Sequence, residues 1–189
     1  MEGFVLEEKQ INENKIIKFY SREEGLISFL ARGVQKPKSK LSTLCLPFKY
    51  LDLTLVCGWQ SHILIGGKVK KVYYSIWSSW QKIFVGQKIM KDLEELAGPG
   101  KDEKIFELAK LTFEAIDKAS IKNLTPLVYS FEMKLLDFAG YRPNFNYQKN
   151  TALTAFLVDD YEKISKKFFS KKEILETGKI IQNFINEQK

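Results

Sequence analysis

"FKYLDLTLVC", residues 48–57, is the stretch that decides the fold. Phe48, Tyr50, Asp52 and Thr54 alternate with Leu51, Leu53 and Leu55. A period of two marks a strand with one apolar and one mixed face. Gly58 ends it. Before it lie "GFVLEEKQI" (3–11), "KIIKFYS" (15–21) and "LISFLARGV" (26–34), separated by turns at Asn12–Asn14 and Glu23–Gly25. After it comes "HILIGGKVKKVYY" (62–74), with Gly66 and Gly67 where a bulge or sharp bend fits. Five β-rich runs in the first 75 residues predict a small closed barrel, because closure removes exposed edges. One long connection, between the third and fourth runs, matches the five-stranded OB-fold.

From residue 76 the period becomes helical. "SSWQKIFVGQKIMKDLEELA" places Trp80, Ile83, Phe84, Met90, Leu93 and Ala97 near one face, and "GPGK" (98–101) breaks it. The next segment sets Ile105, Leu108, Ala109, Thr112, Ala115 and Ile116 on a stripe. "TPLVYSFEMKLLDFAG" is a bounded helix: Thr125 caps it, Pro126 takes the first helical position and Gly140 follows its end. Its buried face is Leu127, Val128, Phe131, Leu135 and Phe138. Ser170 and Glu173 have capping-box spacing before a last helix carrying Ile174, Leu175, Ile181, Phe184 and Ile185. Between them, "NFNYQKN" reads as loop and "DDYEKISKKFF" as a short helix. The expected fold class is α+β and multidomain, with an OB-fold nucleic-acid-binding domain over 1–75 and an all-α domain over 76–189.

The net charge of +7 is unevenly placed. Residues 1–24 hold 4 basic and 6 acidic side chains, residues 25–91 hold 11 basic and one acid (Asp52), and residues 92–189 hold 15 and 16. A field of one sign over one region favours an acidic partner, most commonly nucleic acid. The densest part is "ARGVQKPKSKL" (31–41), with Arg32, Lys36, Lys38 and Lys40 and no acid. Lysine is a point charge suited to phosphate, and this loop lacks base-reading polar side chains, so little sequence preference is expected. Alternation in "KVKKVYY" puts Lys68 and Lys70 on one face and Val69 and Lys71 on the other. The same region holds Phe29, Phe48, Tyr50, Trp59, Tyr73, Tyr74, Trp77, Trp80 and Phe84. OB-folds stack bases on aromatic faces. In so small a barrel most of these rings are expected to fill the core, leaving a minority for stacking.

Other chemistry is poorly supported. The one histidine, His62, lies in an apolar run and reads as structural. "GGKV" (66–69) fails as a P-loop, because the motif's first glycine is missing and Val69 follows Lys68 where Ser or Thr is needed. Cys45, Cys57 and His62 lack C-x₂-C spacing, so no zinc site is expected, and both cysteines read as buried small hydrophobes. Asp159 and Asp160 read as a cap for the next helix. No cofactor and no enzymatic activity are expected. No segment approaches the roughly 18 apolar residues of a membrane span, and no secretory signal is visible, so a cytoplasmic protein without membrane partners is expected.

"GFVLEEKQINENKIIKFYSREEGLISFLARGVQKPKSKL" resembles the opening of the bacterial RecO family, with its elements Ala31-Arg32-Gly33 and Lys38-Ser39-Lys40-Leu41. "LCLPFKYLDLTLVCG" is similar to the family's L-x-P-F strand. "FEMKLLDFAGYRP" is similar to its helix end, through Leu135, Leu136, Gly140, Tyr141 and Pro143. The matches span about residues 1–143. The resemblance implies a recombination and DNA-repair mediator of the RecF pathway, acting at the nucleoid. Such a protein binds single- and double-stranded DNA, anneals complementary strands without ATP, and with RecR helps RecA load onto DNA coated by single-strand-binding protein (SSB). It assigns DNA contacts to Arg32, Lys38 and Lys40. Lys36 is added on charge, and Lys68, Lys70 and Lys71 from the charge pattern. Two departures stand out. The four-cysteine zinc site that many members carry is missing from "NFNYQKNTALTAF", and the chain is shorter. Two other readings are an OB-fold RNA-binding module associated with tRNA or ribosomes, and a helical scaffold whose barrel docks a protein.

Overall fold

The computed structural model describes residues 1–36, 39–59, 61–141 and 151–187. Five strands, β1 (Glu2–Ile11), β2 (Asn14–Ser21), β3 (Gly25–Ala31), β4 (Lys49–Cys57) and β5 (His62–Val72), form a closed barrel in the order β1-β2-β3-β5-β4. Neighbours pair antiparallel except β3 and β5, which run parallel through Phe29↔His62 and Leu30↔Ile63. Closure is made where β1 meets β4, at Glu2↔Asp52 and Gly3↔Leu51. This is the five-stranded OB arrangement that the run pattern predicts.

The alternation in residues 48–57 is realised with a different outcome for each face. Leu51 and Leu53 point inward and join Val5, Ile17, Phe19, Phe29 and Leu64 in the barrel core. The β3–β4 connection closes one end with Val34, Leu44 and Cys45, the last two on a 3₁₀ turn at Ser42–Cys45. Burial pushes the Cys45 thiol up to about 11. Cys57 was expected to be buried too, but it is exposed, because it ends β4 beyond the core. Gly67 allows the β4–β5 pair to close up: a Cβ there would stand 2.7 Å from the Asp52 carbonyl.

The first half of the mixed face is also buried. Phe48 and Tyr50 are 3% and 8% exposed, and with Phe4, Tyr20 and Tyr73 they form an aromatic layer on the outside of the barrel. Phe106 and Phe113 of α3 (Glu103–Lys118) fill it. Phe4 lies 5.7 Å from Phe106 and 5.2 Å from Phe113, Tyr50 lies 6.2 Å from Phe106, and Tyr73 lies 5.7 Å from Phe113, centroid to centroid. The stripe read from the sequence omitted both phenylalanines, so α3 has a second buried side. One side packs on helices and the other on the barrel. Ion pairs rim the layer, with Arg22 reaching Glu103 and Glu107, and Lys18 reaching Glu94.

The remaining helices are α1 (Tyr74–Trp77), α2 (Trp80–Leu96), α4 (Leu124–Phe138), α5 (Thr151–Val158), α6 (Tyr161–Lys166) and α7 (Lys171–Glu187). Helix α4 is the axle: Leu124, Leu127, Phe131, Met133, Leu135 and Leu136 are buried around its circumference, and α2, α3, α5, α6 and α7 all touch it. It begins one residue before the expected cap, so Thr125 lies inside it and Pro126 falls in its first turn. A missing N–H costs nothing there. Its end is as expected. Gly140 has φ +85°, its N–H donates to Asp137 O at 3.2 Å, and the Tyr141 N–H donates to Leu136 O at 2.9 Å, the Schellman pattern. Ser170 and Glu173 form the capping box: the Ser170 N–H and hydroxyl donate to Glu173 Oε2 at 2.8 and 2.6 Å, and the Glu173 N–H donates back at 3.2 Å. Asp160 caps α6 by accepting from the Lys163 N–H at 2.8 Å. Several predicted burial faces need correction. Trp80 (73% exposed) and Phe84 (66%) lie outside the buried face of α2, which is instead Ile89, Met90, Leu93 and Leu96; Phe138 and Leu175 are also partly exposed. The "NFNYQKN" loop and Pro143 lie outside the described residues.

Candidate nucleic-acid interface

The basic connection after β3 is held by its backbone. Gly33 adopts φ +62°, its N–H donates to Asn14 Oδ1 at 2.9 Å, and the Gln35 N–H donates to Glu13 O at 3.3 Å. The β1–β2 turn therefore braces the loop from one side, while buried Val34 pins it to the barrel core. Two further turns follow, Lys36 N–H to Gly33 O at 3.2 Å and Ser39 N–H to Lys36 O at 3.0 Å. Arg32, Lys36 and Lys40 project from this frame and are exposed. Arg32 and Lys40 have no ion pair among the described residues. Lys36 lies 3.3 Å from Glu13, with both side chains more than 60% exposed, and such a pair is worth little and exchanges readily. Lys38 and Pro37 lie outside the described residues. At the far end of the connection Lys49, counted in the charge but not singled out, donates to Thr43 O at 2.8 Å, and burial lowers its pKa.

The lysines of β5 are placed differently. A register shift between Tyr50 and Leu51 pairs Tyr50 with Lys71 and Leu51 with Val69, leaving Lys70 as the extra residue of a bulge. The expected alternation therefore fails, and Lys70 and Lys71 both turn toward the helical side. Lys70 binds Glu2 and sits 5.5 Å from the Tyr50 ring; Lys71 binds Glu114 of α3 at 2.8 Å and sits 5.3 Å from Tyr73. The Lys70 hydrogen bond, then that of Tyr50, hold the Glu2 carboxyl below its usual range, and Lys71 does the same for Glu114. Lys68 remains 71% exposed, 3.5 Å from Asp52. These geometries give a prediction. Substituting Lys70 and Lys71 together by alanine should cost about 1 kcal/mol of stability, as expected for half-exposed pairs, and should change DNA affinity less than twofold. Thermal melts and oligonucleotide titrations check both halves.

The rest of the basic excess does not converge on one face. Lys82 is buried, donating to Ser75 Oγ at 2.6 Å and Asp117 O at 2.9 Å. Lys88 lies between Asp92 and Glu132 at 2.6 Å from each. The aromatics also divide. Phe29, Phe48, Tyr50 and Tyr73 are core, whereas Trp59 is 100% exposed, Tyr74 76% and Trp77 45%, joining Trp80 and Phe84 outside. More rings are exposed than the size of the barrel suggested, because those of α1 and α2 lie on the side of the helices turned away from the core. His62 opens β5, paired with Cys57 and Phe29. Among the described residues no group of three or more His, Cys, Asp or Glu side chains is placed to hold a metal ion, and no helix is long and apolar enough to cross a membrane.

Residues 1–64 match the family profile "Recombination protein O N terminal", and residues 93–154 match "Recombination protein O C terminal". Curated relatives include the DNA repair protein RecO of Alkaliphilus metalliredigens, 24% identical over 145 residues, covering 76% of this chain and 58% of that protein. That of Clostridium acetobutylicum is 27% identical over 147 residues (77% and 59%), and that of Clostridium perfringens 26% over 147 residues (76% and 59%). The chain thus spans less than two thirds of the length of these relatives. The two profiles fall in order, the first on the barrel and the second from the end of α2 into α5, and the chain belongs to the RecO family.

Proposed function

We propose that the protein is a non-catalytic DNA repair and recombination mediator. It binds single- and double-stranded DNA with little sequence preference and anneals complementary strands without ATP. With RecR it helps RecA replace SSB on single strands, working on the nucleoid in the cytoplasm. Residues 1–75 form the nucleic-acid-binding unit and 76–189 the helical unit. The observation that carries this reading is the braced connection after β3, where Arg32, Lys36 and Lys40 stand exposed with one ion pair, Lys36 to Glu13, among the described residues. Family membership, and relatives that are DNA repair proteins, support it. Arg32, Lys36, Lys38 and Lys40 are the proposed phosphate contacts. Lys68, exposed beside Asp52, is proposed as a further contact, and Lys70 and Lys71 add to the field while holding the barrel to α3. The test is annealing of complementary oligonucleotides, bare and SSB-coated, at low and moderate salt. Acceleration without nucleotide is expected, and RecR should increase it on coated strands. No acceleration would sink the reading, and tighter binding of structured RNA than of single-stranded DNA would favour an RNA-binding module.

A further inference from the structure

The stretch from Leu53 to Lys91 contains no acid, and it includes all of α1 and most of α2. Along the outer side of α2, Trp80, Phe84, Gln87 and Lys91 follow one another at helical spacing and are all exposed. Tyr74 and Trp77 extend the row through α1. Of these rings only Trp77 has a partner in the core, Phe48, among the described residues. The helical core is built on the opposite side of α2, and the aromatic layer on the barrel is filled by α3. Trp77 at the end of α1 and Trp80 and Phe84 on α2, exposed at 45, 73 and 66%, need a ligand to explain them.

The row joins the basic connection. Trp77 packs edge-on against Phe48 at 5.2 Å, and Phe48 immediately precedes Lys49, at the point where the connection carrying Arg32, Lys36 and Lys40 enters β4. Phe48 holds φ +57°, a conformation costly for a bulky residue, while packed against Gly86 of α2, where a Cβ would meet its ring. The connection and the aromatic row are therefore fastened together at one corner. From Arg32 to Lys49 the surface offers cations, and from Trp77 to Phe84 it offers aromatic faces, with Lys91 beyond them.

We propose that this corner carries single-stranded nucleic acid from the barrel onto the helices, its unpaired bases stacking on Trp77, Trp80 and Phe84. The inference rests on the nucleic-acid reading above and extends it. Flat aromatic faces beside cations suit bases and phosphates, whereas a protein-docking face would more often mix aliphatic side chains and both charges. Trp59 is not part of the row. It follows the far end of β4, separated from Phe48 by about 26 Å of strand.

The test uses the full chain carrying Trp59→Phe, so that emission comes from Trp77 and Trp80. Titration with oligo(dT) should change the emission as it saturates. Adding Trp80→Ala and Phe84→Ala, both at exposed positions, should weaken oligo(dT) binding about tenfold or more, since two base-stacking platforms are lost. The slope of log affinity against log salt should stay the same, because no phosphate contact is lost. Binding to a duplex of equal length, whose bases are already stacked, should also be unchanged, which shows that the variant is folded. Unchanged oligo(dT) affinity would overturn the proposal while leaving the loop reading intact. So would an equal loss on duplex, or a wild-type dimer in sedimentation that Trp80→Ala/Phe84→Ala dissociates. Failure of the nucleic-acid reading itself would show as no binding by the parent chain.

Discussion

Lys88→Met is expected to destabilise the protein by about 3–5 kcal/mol, the usual result of removing one partner from a buried charge cluster. Lys88 reaches from α2 to Asp92 on its own helix and to Glu132 on α4, with Nζ 2.6 Å from each carboxylate. Asp92 and Glu132 are 1% and 0% exposed. Gln182 of α7 donates to the same Glu132 oxygen at 2.8 Å, so the cluster ties together three helices. Burial disfavours the Lys88 charge, but the two carboxylates outweigh it and hold its pKa above the ordinary lysine value. Methionine keeps the length and removes the charge, taking the Lys88 ammonium away from two buried carboxyl groups. Lys91→Met on the exposed side of the same helix serves as the control, expected within about 0.5 kcal/mol of wild type. Urea titration of both variants checks the difference, and a loss below 1 kcal/mol for Lys88→Met would show that water or rearrangement satisfies the site.

The same cluster has a pH signature. Burial pushes the Glu132 carboxyl up to about 7 from 4.5, the Lys88 charge opposing and Asp92 reinforcing the rise. Its second oxygen, Oε2, is buried without a hydrogen-bond partner among the described residues. Between pH 4.5 and about 7 the native state holds a proton that the unfolded chain has released. This contribution to stability is therefore full below 4.5 and declines as pH rises toward 7. Glu132→Gln should flatten that decline, seen as a smaller difference in Tm between pH 5 and pH 7.5.

The sequence made the barrel legible because its signals are local: period-two alternation, glycines at the bends and one long connection. Caps were similarly readable where the side chain carries the hydrogen bond, as at Ser170–Glu173 and Asp160. The second buried face of the barrel was hidden. Tyr50 and Phe48 occupy the same strand phase as the more exposed Asp52 and Thr54, and only the arrival of Phe106 and Phe113 makes their end of it dry. Helix α5 was hidden for a related reason: "TALTAFLV" is apolar over most of its surface, so it shows no helical period. The site was half legible. Charge density picked out the loop, but counting lysines could not show that a bulge turns Lys70 and Lys71 toward Glu2 and Glu114. Nor could the hydrophobic pattern show that Trp80 and Phe84 lie outside. Near one face of a helical wheel they look like core, and the core side of α2 is set by α4 and α3, not by α2 itself.

Replacing Arg32, Lys36, Lys38 and Lys40 together by alanine is expected to lower the salt slope of single-strand binding by about 3, at roughly 0.7 per lost phosphate contact. Extrapolated to about 0.1 M salt, that corresponds to an affinity loss of roughly several hundredfold. Three of the four are exposed and make at most one weak ion pair, so stability should change by less than about 0.5 kcal/mol. The backbone that shapes the loop does not depend on them: Gly33, Val34, Asn14 and Glu13 supply its turn, anchor and braces. The variant therefore removes charge without removing the surface. This separates it from Lys70→Ala/Lys71→Ala, which removes charge from the barrel–α3 seam and should register in stability. Titrations of oligonucleotide at several salt concentrations read the slope directly. An unchanged slope would mean that the braced loop is a solvated surface and that phosphate is held elsewhere. A slope reduced by 3 would place the first contacts on the connection between β3 and β4, the part of the barrel whose cations face almost no acid.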